Sequence, residues 1–155
     1  MSKSVKRVRA ALVAAGLPDT IRETGPATTA QMAAYALGVE VDQIAKSIIF
    51  RGERSGACIL FVTAGRQQVD AAKAAALAGE PLGKADAAAI RAQTGFAIGG
   101  VSPVGHLTPP LAFFDPKLLE FREIWAAAGT PRHVFCATPQ DMARISSAQI
   151  TDFTT

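Results

Sequence analysis

Three glycines and a proline fall within the seven residues 99–105, directly after the apolar run 96–98. Glycine accepts positive φ and lets another molecule approach the backbone, and proline restricts both itself and the residue before it. A loop of this composition can hold successive main-chain N–H groups in one direction, where they bind an anion or the oxyanion of a transition state. A tight connection between two strands is the alternative that the same residues allow.

The sequence gives little support to a covalent nucleophile. Ser102 lies between glycines, but a nucleophile elbow has one residue fewer, and Pro103 follows the serine where a helix should begin. The loop also lacks the patterns of phosphate-binding and dinucleotide-binding loops. Cys58 and Cys136 each lie in an apolar run with no neighbouring activator, so we expect buried thiols and no disulfide. A serine or cysteine esterase stays an alternative, and it predicts a covalent adduct on one of these side chains.

Three further side chains could contribute chemistry. Lys46 begins an apolar strand, where it is either a solvated strand end or a cation at the mouth of a pocket. His106 follows the glycine loop and His133 precedes a strand, so each could line a site or form a structural hydrogen bond. The spacing of His133 and Cys136 does not predict a metal site, because residues i and i+3 of a strand point to opposite faces.

Length and composition predict one domain over residues 1–155, with enough apolar content, 49%, to bury a core. No apolar run approaches the roughly 20 residues that span a bilayer, and the basic amino terminus lacks the apolar stretch of a leader. We therefore expect a cytoplasmic protein with no membrane contact. The net charge of +3 suits transient contact with a polyanion but identifies none, and 6% aromatic residues offer no stacking platform for nucleic acid.

Capping residues and apolar spacing predict the helices. Ser4 can cap a first helix that buries Val5, Val8, Leu12 and Val13. Thr29 can cap a helix through residue 37, and residues 42–45 resemble one further helical turn. The remaining helices are expected at 70–77, 86–94 and 140–145. Asp70 and Asp86 begin the first two, which end at Gly79 and Gly95, and Thr138 caps the third, with Pro139 at its first helical position.

Two β-rich runs, 47–51 and 57–63, flank a polar turn and predict a hairpin whose near-continuous apolar character indicates that both faces are covered. Further strands are expected at 111–114, 121–127 and 133–137. Strands and helices mix without regular alternation, so the pattern predicts an α+β domain with a mixed, curved, barrel-like β-sheet surrounded by helices.

Three segments taken together resemble the YbaK-type aminoacyl-tRNA deacylases, which are related to the editing insertion of bacterial prolyl-tRNA synthetases. The segments read QIAKSIIF at 43–50, TGFAIGGVSPVGH at 94–106 and WAAAGTP at 125–131. The likeness extends in the same order over almost the whole chain, which makes it more specific than any single motif.

The resemblance implies hydrolysis of the ester that joins a wrong amino acid to the terminal adenosine of a tRNA, without a cofactor or metal. Lys46 matches the family's signature lysine, and the catalytic loop is matched by Gly99, Gly100, Val101, Ser102 and Pro103. In the family the loop amides are thought to hold the ester carbonyl and the lysine to fix the substrate, while the substrate's own ribose hydroxyl could position the water.

The same resemblance suggests the residues that bind substrate. Ala30 and Ala33 match positions that shape the side-chain pocket, His133 matches a histidine that contacts the substrate amino group, and His106 could line the same site. The implied substrate is a mischarged tRNA carrying alanine, cysteine, serine or threonine, and a synthetase or an elongation factor could deliver it. The alternative is a non-catalytic module of the same fold that binds a tRNA end or an aminoacyl ligand.

Overall fold

The computed structural model describes residues 2–155, in which five α-helices pack around two β-sheets. No helix in these residues is long and apolar enough to cross a bilayer. The helices are α1 Lys3–Ala14, α2 Ala30–Leu37, α3 Ala71–Ala78, α4 Ala87–Thr94 and α5 Pro139–Ile145. The strands are β1 Arg22–Glu23, β2 Ala45–Gly52, β3 Cys58–Ala64, β4 Leu82–Lys84, β5 Leu111–Phe114, β6 Ile124–Ala127, β7 His133–Ala137 and β8 Gln149–Ile150.

The larger sheet has the order β4-β2-β3-β5-β8 and the smaller one β1-β7-β6. β2 and β3 form the expected antiparallel hairpin, with Lys46 opposite Thr63, whereas β5 lies parallel to β3. Within the described residues a single parallel bridge between Ile44 and Trp125 links the two sheets. The α+β class and the mixed sheet are confirmed, but the barrel is wrong, because the sheets separate beyond this bridge instead of closing.

The main core lies between the larger sheet and α1, α4 and α5, and a smaller cluster packs α2 against Ile44 and Trp125. β3 is buried along its whole length, as the apolar run predicts. β2 is only partly buried from residue 46 to residue 50, so the expectation that both its faces are covered is wrong there. The reason is a cleft that opens along the first half of β2.

Most helix ends follow their predicted caps. The Thr29 hydroxyl accepts the N–H of Met32 at 3.1 Å, and Gly38 ends α2 with φ +70°. At α1, however, the cap is Ser2 and not Ser4, because the Ser2 hydroxyl reaches the N–H of Val5. Val13 is 64% exposed, since it lies about 100° around the helix from the buried Leu12.

Several element boundaries differ from the sequence prediction. The turn expected at 42–45 is a 3₁₀ helix at Val41–Gln43. Asp115 caps a second 3₁₀ helix at Pro116–Glu120, so β6 begins only at Ile124 and not at residue 121. The short strands β1, β4 and β8 were not predicted, because two or three residues carry no measurable alternation.

Candidate functional site

A cleft of about 710 Å³ opens between the first half of β2, α2, the glycine loop and the turn before β7. It lies where the two sheets separate beyond the bridge between Ile44 and Trp125. The structure brings six of the predicted site residues to its wall: Ala30, Ala33, Lys46, Gly99, Val101 and His133. The other four, Gly100, Ser102, Pro103 and His106, do not line it.

The cleft continues around both faces of β2. Ile44 and Lys46 lie on one face of the strand, and Ser47 and Ile49 lie on the other. All four residues nevertheless line the cleft. The cleft can reach both faces only where the edge of the strand is open. This edge is open because β2 and β6 do not pair beyond the bridge at Ile44. The first face meets α2, and the second meets the main core that contains Val101.

Lys46 brings an unpaired positive charge to this wall. Its ammonium forms no ion pair or hydrogen bond within residues 2–155, and the side chain is half-buried. Burial lowers its pKa below the ordinary lysine value, against the attraction of Asp42 and Asp115, which favours the charged form. A cation that is partly desolvated and lacks a protein partner is suited to bind an anionic or carbonyl oxygen of a ligand.

The glycine loop brings main-chain donors to the same cleft. The N–H of Gly100 donates to the carbonyl of Ala97 at 3.0 Å, which closes a turn through Gly99 at φ +92°. The N–H groups of Gly99 and Val101 have no acceptor within residues 2–155, and both residues line the cleft. These two groups are therefore available to an oxyanion.

A close backbone contact fixes the position of this loop. A Cβ added at Gly100 would lie 2.7 Å from the Cα of Thr130, so only glycine lets the loop approach the turn before β7. The turn carries Thr130 and Pro131 in the cleft wall. The contact thus sets the distance between the loop donors and His133.

Ser102 and Pro103 are buried behind the loop. Ser102 is 0% exposed, and its hydroxyl accepts the N–H of Val104 at 3.3 Å. A serine that reaches neither solvent nor the cleft is not placed to attack a substrate. This position argues against the hypothesis that the protein is a serine esterase with Ser102 as nucleophile. Ser102 instead supports the loop through its hydrogen bond to Val104.

The substrate-binding role suggested for His106 is not supported by its position. Its Nε2 lies 2.6 Å from the carbonyl oxygen of Ser102, which can only accept, so this nitrogen carries the proton. The ring meets Phe96 edge to face, and the Arg7 guanidinium lies over Phe96, 4.8 Å from the ring centroid. Burial lowers the pKa of His106, so the ring is held neutral as a support for the loop.

His133 does reach the cleft. Its Nδ1 lies 2.7 Å from the hydroxyl oxygen of Thr130, which also accepts the N–H of Arg132 at 3.1 Å. The hydroxyl oxygen has two lone pairs, so it can accept from both groups. Nε2 has no partner within residues 2–155, and it is the ring atom left for a ligand.

Small side chains form a pocket beneath α2. Ala30 and Ala33 project from the helix toward Ile44 and Trp125, and the four residues belong to one apolar cluster. Trp125 also carries a polar atom that sequence reasoning missed, Nε1, which is buried and has no hydrogen-bond partner. The Ser47 hydroxyl on the other face of β2 is likewise buried without a partner.

The cysteines stay outside the site. Cys58 and Cys136 are free thiols, and neither lines the cleft. Burial raises the pKa of both, which opposes formation of a nucleophilic thiolate. Within residues 2–155 there is no group of three histidine, cysteine, aspartate or glutamate side chains that could hold a metal ion.

Comparison with known proteins places this geometry in context. Residues 24–145 match the family model of the aminoacyl-tRNA editing domain. The uncharacterized protein YwhH of Bacillus subtilis (strain 168) is 34% identical over 128 residues, which cover 83% of this chain and 80% of the relative.

Two solved structures share the fold over nearly their full length. A protein proposed to be a trans-editing enzyme for prolyl-tRNA synthetase is 44% identical, with a TM-score of 0.92, covering 100% of this chain and 99% of that one. The hypothetical protein APE2540 is 25% identical, with a TM-score of 0.87, covering 96% of this chain and 99% of that one.

Proposed function

Because the chain belongs to the aminoacyl-tRNA editing domain family, we propose that it is a trans-editing hydrolase that cleaves the ester of a mischarged aminoacyl-tRNA. The observation that carries the proposal is the convergence on one cleft of an unpaired cation, Lys46, and two free main-chain donors, at Gly99 and Val101. A cation and fixed donors are what an ester needs when attack by water puts negative charge on its carbonyl oxygen.

In this mechanism the Gly99 and Val101 N–H groups hold the ester carbonyl and stabilise the oxyanion. Lys46 binds an oxygen of the terminal nucleotide and orients the ester over the loop. A water molecule attacks the carbonyl carbon, the ester C–O bond breaks, and the ribose oxygen leaves as a hydroxyl. The 2′- or 3′-hydroxyl next to the ester positions the water, because no carboxylate lines the cleft within residues 2–155.

His133 binds the amino group of the substrate in this proposal. To accept a hydrogen bond from an ammonium, Nε2 must be unprotonated, which requires the proton on Nδ1 and donation to the Thr130 hydroxyl. The contact between Nδ1 and Thr130 permits that tautomer. The α-amino group, the ester and the side chain of the substrate then each meet a different wall of the cleft.

The amino acid is a small one, since Ala30 and Ala33 leave room for a short side chain against Trp125. A proline tRNA mischarged with such an amino acid is supported as the substrate by the 44% identical neighbour proposed to serve prolyl-tRNA synthetase. Delivery by a synthetase or an elongation factor is part of the same proposal. Such a role in translation would place the protein in the cytoplasm.

The test is release of amino acid from a panel of tRNAs mischarged with alanine, cysteine, serine or threonine. Wild-type protein should hydrolyse at least one ester well above the buffer rate, and Lys46→Ala should abolish this activity. Lys84→Ala is the matched control, because this exposed lysine lies on β4 of the same sheet, outside the cleft. Binding of a non-hydrolysable aminoacyl-adenosine analogue without turnover would instead favour a non-catalytic binding module.

A further inference from the structure

The residues that line the cleft include two permanent cations and no anion. The cations are Lys46 and Arg66, and within residues 2–155 no aspartate or glutamate lines the cleft. The aminoacyl part of the proposed substrate does not balance these charges, because its ester is neutral and its α-amino group is positive when protonated. The cleft is therefore suited to a ligand that brings negative charge from another part of the molecule.

Arg66 lies on the turn that follows β3, at the same end of the hairpin as Lys46. Ala64 ends β3 and pairs with Ala45, the residue before Lys46. The N–H of Gln67 donates to the carbonyl oxygen of Ala64 at 2.9 Å and closes the turn. The chain thus brings its second cation to the part of the cleft where β2 begins.

The backbone of this turn is held against the 3₁₀ helix at Val41–Gln43. The N–H of Arg66 donates to Oδ1 of Asp42 at 2.8 Å. A Cβ added at Gly65 would overlap the carbonyl oxygen of Val41, so glycine is what lets the turn pack directly on this helix. The position from which the Arg66 side chain extends is therefore fixed before a ligand binds.

The side chain of Arg66, unlike its backbone, has no partner in the described part of the chain. The residue is exposed, and its guanidinium forms no hydrogen bond, ion pair or ring contact there. A guanidinium presents its N–H donors in a planar fork, which matches two oxygens of a phosphate group. Lys46 differs from it, because an ammonium is a compact point charge.

We propose that Arg66 binds the phosphodiester group on the 5′ side of the terminal adenosine, while Lys46 and the glycine loop hold the part that carries the ester. The inference rests on the proposed function, since it concerns the same substrate. A phosphodiester supplies the negative charge that the aminoacyl part lacks, together with two oxygens that one guanidinium can bind. Arg66 thereby makes the protein prefer an amino acid attached to a nucleotide over the same amino acid attached to a nucleoside.

The experiment compares the binding of two probes by calorimetry. Both are adenosine with alanine linked through an amide at the 3′ position, and one also carries a 5′-methyl phosphate, which has the single charge of a phosphodiester. Wild-type protein should bind the phosphorylated probe at least about tenfold more tightly. Arg66→Ala should bring the two dissociation constants within about twofold and leave that of the nucleoside probe unchanged.

Arg54→Ala is the matched control. Arg54 is an exposed arginine in the turn between β2 and β3, at the other end of the hairpin, and it does not line the cleft. This variant should keep the full wild-type preference for the phosphorylated probe. In the deacylation assay, Arg66→Ala should lower kcat/KM for mischarged tRNA about tenfold and leave cleavage of an aminoacyl ester of adenosine unchanged.

Equal binding of the two probes by wild type would overturn the inference and leave the proposed hydrolase standing. A preference for the phosphate that survives in Arg66→Ala would overturn it too, and would assign the phosphate to another group of the cleft. If no mischarged tRNA is hydrolysed, the proposed hydrolase fails. A phosphate preference that Arg66→Ala removes would still support the inference in that case, and binding of neither probe would contradict it.

Discussion

Substitution of Gly100 by alanine should displace the loop donors while the rest of the fold stays intact. The added Cβ would lie 2.7 Å from the Cα of Thr130, whereas ordinary contacts of a Cβ begin near 3.4 Å. The loop or the turn must therefore retreat by roughly 0.7 Å, because both contacting groups are backbone and cannot rotate away. Gly99 and Val101 flank Gly100, so their N–H groups move with it.

A displacement of this size exceeds the tolerance of about 0.5 Å for a productive catalytic geometry. We expect the rate constant for ester cleavage to fall by about 100-fold. The free energy of unfolding should fall by only about 1–3 kcal/mol, the usual cost of an overpacked site. Single-turnover deacylation with protein in excess measures the first quantity, and urea denaturation measures the second.

Gly79→Ala is the matched control. Gly79 ends α3 with φ +77° and open space around it, so alanine there costs about 1–2 kcal/mol of backbone strain without touching the cleft. This variant should retain wild-type activity at a temperature where it is folded. If Gly100→Ala cleaves the ester as fast as Gly79→Ala does, the assignment of the oxyanion contact to this loop is refuted.

Other predictions concern the polar groups of the cleft and of the loop. Lys46→Gln should abolish cleavage without loss of stability at neutral pH, because burial disfavours the ammonium in the folded state. Above neutral pH, the stability of the wild type relative to Lys46→Gln should increase as pH rises, since the lowered pKa of Lys46 favours the folded state while the unfolded lysine still holds its proton. A denaturation series across alkaline pH checks this, and equal slopes in both proteins would contradict it. Ser47→Ala removes a buried hydroxyl that has no partner within residues 2–155, so thermal unfolding should show unchanged or higher stability; a loss of stability would show that the hydroxyl is paired within the protein. Because the pKa of His106 is lowered, the unfolded chain binds more protons below pH of about 6.5, and stability should fall as pH decreases through that range. His106→Gln should weaken this acid dependence in urea melts, and an unchanged dependence would assign it to other groups.

Local signals in the sequence were sufficient for the helices and for part of the site. Thr29, Asp70 and Asp86 cap α2, α3 and α4 as predicted, since a capping hydrogen bond spans only three residues. The hairpin of β2 and β3 was also predictable, because its two strands are neighbours in the chain. The resemblance to the deacylases named Lys46 and the glycine loop, and the structure brings Lys46, Gly99 and Val101 to one cleft.

What the sequence did not reveal depends on contacts between distant segments. Closure of the sheet would have required β2 and β6 to pair beyond Ile44, and no local pattern says whether they do. The role of His106 follows from Phe96 together with Arg7, which is nearly 100 residues away in the chain. His106 therefore looked like a site residue only because it is adjacent to the loop.

The sequence also did not predict that Ser47 and Trp125 each carry a buried polar atom without a hydrogen-bond partner. The sequence does show a serine next to Lys46 within an apolar strand, and it shows a single tryptophan. Neither says whether the polar atom finds a partner in the folded protein, because that depends on every residue packed around it. Only the structure shows that both atoms are buried and unpaired.

The central claim, that this cleft hydrolyses an aminoacyl ester through the loop donors and Lys46, is tested most directly by one rate constant. It is the single-turnover release of amino acid by excess wild-type protein from proline tRNA mischarged with alanine, cysteine, serine or threonine, after subtraction of the buffer rate. We expect release at least about 100-fold faster than in buffer, which is the rate enhancement that a fixed oxyanion donor provides. Release of all four amino acids at the buffer rate by folded protein that binds a non-hydrolysable aminoacyl-adenosine analogue would contradict it.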